Sequence, residues 1–424
     1  MSEITTEADR IVGALAAGGG GLDPYPLYAQ LHGLGEASLL TPGKMPYSAA
    51  AFGYRAVDQI MRDATFEVHD ALRLEPMSPT WREHPVLVTL MNSMMFSNGV
   101  RHGRMRALFR KVFTPRRVQE MEPDVITIAA ELLDRIELLG AGGAEVDYMA
   151  EFAYLLPARV VGRLLGLPDA DISWFRAQVD VINDWLDFRR KGPEVLAAAD
   201  KAATDITTYY LDLIAQRRAK PERDLISDLT KAIDDGTHEV TDLELVGNLL
   251  VLFNASFSTT IHLFGNALPL LLGGSEGRAQ LLEDPAAYVE EVLRYDTPAH
   301  VFIRVAGKDT EFLGVPLQEG QLVAVLTGAA NRDPQRFAVP DLFDPARRDN
   351  QPISFGAGAH YCLGAALART EAQLALPMVV DRFPGLALGS EPVRTDQFIL
   401  RGYKSLPVTV SSLVTAGGTS DASG

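Results

Sequence analysis

Cys362 is the only cysteine among 424 residues, and it lies in the run Phe355-Gly-Ala-Gly-Ala-His-Tyr-Cys362-Leu-Gly364. A single thiol cannot close an intramolecular disulfide, nor build a structural zinc site or an iron–sulfur cluster. Glycines at 356, 358 and 364 clear side chains from both sides of it, so a flat partner can approach the backbone. The stretch LGAALARTEAQLAL over 363–376 has the composition of a strong helix. Cys362 is therefore expected at a helix N-terminus, exposed, where the macrodipole and free N–H groups favour the thiolate. A stabilised thiolate with one side cleared suits an axial iron ligand, and thiolate ligation of haem iron favours O–O cleavage. The other reading of a lone cysteine is a small buried hydrophobe.

Phe355, Gly356, Gly358, His360, Cys362 and Gly364, followed by Ala368-Arg369, fit the pattern FGxGxHxCxG…AR. On these residues the chain resembles the bacterial cytochrome P450 family of haem-thiolate enzymes, and further segments extend the resemblance over about 23–410. The resemblance implies one non-covalent haem b with Cys362 as the metal ligand. It places Phe355, Gly356 and Gly364 against the cofactor. His102 and Arg106 match a helical HxxxR element, and Arg304 and His360 complete the groups expected around the two propionates. Glu291-Val-Leu-Arg294 is an ExxR element whose spacing puts both charges on one helix face. With Arg347, in the segment from Asn331 that resembles the family's meander, the pair is expected to form a structural triad.

The family pattern Ala/Gly-Gly-x-Asp/Glu-Thr-Thr reads here as Ala255-Ser256-Phe257-Ser258-Thr259-Thr260. Gly265-Asn266-Ala267-Leu268 fixes the register, which makes Thr259 the oxygen-side threonine and puts Ser258 where the acid would be. Thr259 and Ser258 are the expected catalytic pair. A serine passes a proton along a hydroxyl–water chain but is no proton reservoir at neutral pH. The resemblance puts Val251, Asn254, Ala255, Ala299, His300, Ile399 and Leu400 around a substrate pocket. Met94 and Met95 fall in its covering loop, and Trp185 and Phe188 in its lid helices. A Met/aromatic run also reads as core. Asn254 and His300 suggest a substrate with amide, indole or phenol groups, since unpaired polar groups in a pocket are costly.

The elements that must position these residues are mostly helical. Helical periodicity dominates from about 101 to 295. Thr241-Asp-Leu-Glu244 reads as a capping box opening one helix to about Leu272. Short β segments follow at 301–306 and 322–326, and again near 398–410. The expected class is mainly α with small β-sheets (α+β): a single-domain cytochrome P450 fold with haem between the long central helix and the Cys362 helix. Residues 1–22, with the glycine run 18–21, are expected to form a flexible segment, 23–410 the haem-thiolate domain, and 411–424 a disordered tail. The apolar run Ile11–Ala17 is too short to span a membrane, so a cytoplasmic monomer is expected.

Net charge is −16, which argues against nucleic acid and anionic membranes as partners. Between Arg101 and Arg117 there are seven basic residues and no acid. That window reads either as a solvated helix face or, by the resemblance, as the docking face for a small acidic ferredoxin or flavodoxin. Arg101, Arg104, Arg110 and Lys111 would then make contact. The implied reaction is insertion of one oxygen atom from dioxygen into a secondary-metabolite substrate. The alternatives are oxidative C–C or C–N coupling without oxygen insertion, and a haem-based sensor without turnover.

Overall fold

The computed structural model describes residues 3–18, 23–186, 192–397 and 399–410. Helices run in chain order as α1 (Glu3–Ala17), α2 (Tyr25–His32), α3 (Gly99–Val112), α4 (Pro115–Leu139), α5 (Ile172–Leu186) and α6 (Pro193–Ala219). The series continues with α7 (Asp242–Ser258), α8 (Thr260–Leu272), α9 (Pro285–Tyr295) and α10 (Ala365–Arg382), with further helical pieces between. Prolines at the starts of α4, α6 and α9 sit where a helix has no N–H to bond.

The capping box is formed. The Thr241 side chain accepts the Glu244 N–H, and Glu244 accepts the Thr241 N–H at 3.1 Å. Leu245, Val246, Leu249, Leu250, Leu252 and Phe253 are all buried, so α7 is apolar on nearly every side and lies inside the molecule. The single helix expected to about Leu272 is in fact two. Thr259 is a turn between α7 and α8, and its hydroxyl donates to the Ala255 carbonyl at 3.0 Å. A threonine hydroxyl bonded to the carbonyl one turn earlier competes with the helix ladder, which fits a break at this point.

Strands β1 (Ala37–Leu39), β2 (Ala49–Ala51), β3 (Phe66–Glu67), β4 (Val301–Ala306) and β5 (Leu322–Leu326) form one sheet in the order β1-β2-β5-β4-β3. The β2–β5 pair is parallel and the rest are antiparallel; Arg304 on β4 sits opposite Val323. A pair β6 (Val393–Arg394) and β7 (Tyr403–Ser405) lies near the C-terminus. The fold is mainly α with small sheets at its edges, as the sequence predicts. On the Cys362 side, α10 packs on α4 and α9; on the other side α5 packs on α6, and α6 on α7.

The flexible segment expected over 1–22 needs correction. Ala8, Ile11, Val12 and Leu15 of α1 are buried with Tyr28, Leu31, Tyr47 and Phe52 in one cluster. Asp9 accepts the Thr41 N–H at 2.8 Å, so the helix is docked on the sheet. Residues 19–22 of the glycine joint and the tail 411–424 lie outside the described residues. Among the described residues, Asp242–Leu272 is the one helical run long and apolar enough to cross a membrane, and 67% of its apolar window is buried within the fold.

Candidate active site

The Cys362 loop is shaped by glycine. Gly356 and Gly358 adopt φ of 69° and 68°, and a Cβ on Gly358 would lie 2.4 Å from the Met61 carbonyl oxygen. No other residue fits there without displacing backbone. The Cys362 N–H closes the loop on the Phe355 carbonyl at 2.9 Å, and Arg369 lies over the Phe355 ring at 4.4 Å. Gly364 is the residue preceding α10, so backbone N–H groups of Gly364 and Ala365 reach the sulfur.

The electrostatics differ from expectation. Cys362 is half-buried rather than exposed. Burial pushes its thiol up, and the two N–H groups with the Arg106 and Arg369 guanidiniums recover only part of that. The thiol is therefore not activated by its helix terminus alone. A cation bound at the sulfur is what would hold it as thiolate, which suits a metal ligand better than a nucleophile.

Around this loop the fold collects cations without acids. Arg304 is buried, and its only hydrogen bond among the described residues runs to the Ile303 carbonyl at 2.9 Å. Burial pushes its pKa down to about 10. Arg106 donates to the Tyr361 carbonyl and is likewise lowered by burial. The His102 and His360 rings stand 4.2 Å apart, both lowered by burial, His360 to about 3. No carboxylate pairs with any of the four among the described residues. A buried guanidinium without an acid, as at Arg304, is costly, so this cradle fits a ligand bringing its own anions, as the two haem propionates would.

Glu291, Arg294 and Arg347 come together as expected. Arg294 grips Glu291 through two bonds of 2.7 and 2.8 Å, both residues being fully buried. Arg347 Nε stands 3.5 Å from Glu291, an ion contact rather than a hydrogen bond. Arg294 also donates to the carbonyls of Asn331, Pro340 and Leu342, and this ties the 331–347 segment to α9.

On α7, Val251, Asn254, Ala255, Ser258 and Thr259 are all half-buried, in a helix whose other faces are closed. Ser258 Oγ donates to Asn254 Oδ1 at 2.6 Å, and Asn254 Nδ2 donates to Asn183 Oδ1 at 2.9 Å. Asn183 Nδ2 donates back to Ser258 Oγ at 3.1 Å. Sequence reasoning missed Asn183; the signal available was an amide one residue after buried Ile182 on an amphipathic helix. Ala299 and Leu400 pair as an isolated bridge, and Ile399 accepts the His300 N–H at 2.8 Å, so the two segments expected to close the pocket are held together.

Three expected pocket residues are placed otherwise. The His300 side chain turns into the interior, where Nδ1 meets the Tyr28 hydroxyl at 2.7 Å; its pKa is pushed to about 3, chiefly by burial. Met94 belongs to the core, with its N–H on Asn248 Oδ1 at 2.9 Å, while Met95 is 44% exposed. Trp185 is half-buried and packs against the main core, and Phe188 lies outside the described residues. The basic window is also reduced. Arg101 and Arg104 both bond buried Glu244, Arg116 pairs with Glu120, and Arg117 pairs with Asp228. Arg110 and Lys111 stay exposed and have no acidic partner among the described residues.

Comparison with known proteins agrees with this geometry. The family model Cytochrome P450 matches residues 285–403, which hold the ExxR helix, Arg304 and the Cys362 loop. Cytochrome P450 107B1 of Saccharopolyspora erythraea is 38% identical over 314 residues, 72% of this chain and 74% of that protein. The same organism's 6-deoxyerythronolide B hydroxylase is 36% identical over 316 residues, 72% of this chain and 75% of that one. Among solved structures, P450BioI in complex with hexadec-9Z-enoic acid ligated acyl carrier protein superposes with a TM-score of 0.84 at 31% identity. The match covers 92% of this chain and 99% of that one. CxnD, a cytochrome P450 for C–S bond formation in chuangxinmycin biosynthesis, gives 0.82 at 26% identity, over 94% and 96% of the two chains. The chain belongs to the cytochrome P450 family of haem-binding monooxygenases.

Proposed function

We propose that this enzyme inserts one oxygen atom from dioxygen into a C–H or C=C bond of a secondary-metabolite scaffold, using haem b on Cys362. The observation that carries the cofactor is the acid-free cradle of Arg106, Arg304, His102 and His360 beside the single thiol. When bound, the haem supplies the iron at which dioxygen is reduced and cleaved. The chain's own residues do the rest. Arg106 and Arg304 would hold the propionates, N–H groups at 364 and 365 would steady the sulfur, and the Glu291–Arg294–Arg347 triad would brace the loop's support. Thr259, at the helix break, is the hydroxyl that passes protons through water to the reacting oxygen, with Ser258 next to it. Labelled dioxygen should appear in the product; its absence would overturn oxygen insertion.

A second reading is oxidative coupling, favoured by one observation. Ser258 replaces an acid, and its proton is already given to Asn254, so a substrate N–H or O–H can complete the relay in its place. The structural neighbour named for C–S bond formation supports this reading. Electrons are proposed to arrive from a small acidic ferredoxin or flavodoxin at Arg110 and Lys111, in a cytoplasmic monomer whose functional unit spans 23–410. The purified protein, reduced under carbon monoxide, should show the red-shifted Soret band of thiolate ligation; a histidine-type band would sink the assignment of Cys362.

A further inference from the structure

The three hydrogen bonds among Asn183, Asn254 and Ser258 form a closed ring, and the ring has a direction. Each member donates once and accepts once: Ser258 to Asn254, Asn254 to Asn183, Asn183 to Ser258. A serine hydroxyl has one proton, and here it is committed to Asn254. An amide can turn over and present either its oxygen or its nitrogen. Asn183 sets that choice, because its Oδ1 accepts from Asn254 Nδ2 and leaves Asn254 Oδ1 facing Ser258. Asn183 thus acts on Ser258 twice, directly through its own N–H and indirectly through the orientation of Asn254.

The ring also joins two helices. Asn254 and Ser258 are one turn apart on α7, whereas Asn183 sits near the end of α5. The earlier part of α5 is held by apolar contacts, with Phe175 against Phe253 at 5.4 Å and Arg176 over the Tyr154 ring at 4.6 Å. The amide ring supplies a polar tie farther along, and it is next to the turn at Thr259. We infer that Asn183 is a positioning residue for proton delivery: it keeps Ser258's proton turned away from Thr259, and the ring must open before Ser258 joins the relay. This rests on the relay role of Thr259 and Ser258 given above. Opening requires either a shift of α5 or a substrate polar group inserted between the amides. Helix α7 therefore senses what lies under α5 through one serine.

The test is amide hydrogen exchange on the holoenzyme, with α10 as the internal reference. Asn183→Ala and Ser258→Ala should each speed exchange over 172–186 by several-fold to about tenfold, the range expected for losing one or two net hydrogen bonds. The double variant should add little to either single, because both break the same ring. Unchanged exchange in Asn183→Ala, or additive effects in the double, would overturn the ring. A second readout addresses the proton. Oxygen uptake driven by a ferredoxin and its reductase is compared in H₂O and D₂O. The solvent isotope effect should fall in Asn183→Ala, where the freed Ser258 makes proton transfer less limiting, and stay unchanged when the same substitution is made on Ser258→Ala. An isotope effect indifferent to Asn183 would leave the ring a strut and overturn its positioning role. Because exchange reads the ring without any product, it fails separately from the oxygen-label experiment that tests the reaction.

Discussion

At the scale of single residues, the molecule keeps groups that its own chain does not satisfy. Among the described residues Arg304, 7% exposed, has one backbone acceptor and no acid. Burying that charge costs stability in the cofactor-free chain and is repaid when an anion arrives. Arg304→Gln is therefore expected to act in opposite directions on two measurements. The cofactor-free protein should unfold at equal or higher urea concentration, while haem should leave the holoenzyme about 10–100-fold faster, as for a lost charge-assisted hydrogen bond. Haem transfer to an excess of apomyoglobin reads the second; equal rates would mean that Arg304 meets no propionate. Much of this cradle is legible in sequence, because His102, Arg106, Arg304 and His360 each sit in a local motif. His300 is not. Its destination depends on Tyr28, 272 residues earlier in the chain, and no local pattern reports that contact.

At the scale of elements, the start of α7 shows one residue serving two structures. Glu244 completes the capping box and also receives Arg101 and Arg104 from α3, while only 3% exposed. Thr241→Ala removes a cap and should cost about 1 kcal/mol. Glu244→Gln keeps a partner for the cap but strands two guanidiniums, and should cost more, about 2–3 kcal/mol given their partial exposure. Urea unfolding of the two variants checks the order; a costlier Thr241→Ala would show that the ion pairs contribute little. The capping box was legible because its residues are neighbours in sequence. The role of Arg101 and Arg104 was not, since Glu244 stands about 140 residues away. The break at Thr259 goes with its hydroxyl bonding the Ala255 carbonyl, whereas apolar periodicity alone runs straight through it. The docking of α1 was hidden for a related reason. Its apolar face is short, and the surface that buries it is assembled from α2 and the strands.

At the scale of the whole molecule, two charge patterns make opposite demands on pH and salt. Asp296 joins α9 to the β6–β7 pair: it accepts from Tyr25, Arg394 and Arg401, and against its burial those arginines hold its carboxyl below the usual range. Beside it, burial pushes His300 to about 3 and His262 to about 4. A histidine with a lowered native pKa binds fewer protons folded than unfolded, so stability falls as pH drops below the unfolded value near 6.5. Each should remove about 1.4 kcal/mol per pH unit between roughly pH 6 and 4. Urea midpoints from pH 7.5 to 5 should fall accordingly, and His300→Phe should flatten the slope; a flat wild-type profile would show that neither ring is shifted from its unfolded value. The outer surface is governed by screening instead. With net charge −16, an acidic electron carrier is repelled from most of the molecule. Arg110 and Lys111 are the exposed cations of the basic window that have no acidic partner among the described residues, on α3, whose inner face carries His102 and Arg106 toward the Cys362 loop. Attraction confined to so small a patch acts mainly on encounter, so salt should slow it at every step over which the Debye length shrinks. Arg110→Glu with Lys111→Glu is expected to slow reduction by ferredoxin about tenfold at low ionic strength and hardly at all near 0.5 M, where the Debye length is about 4 Å. The carbon monoxide spectrum should not change, since neither side chain faces the loop. Reduction rates from stopped-flow absorbance, taken across that salt range for wild type and the double variant, should converge as salt rises. Parallel curves would mean that the carrier docks elsewhere.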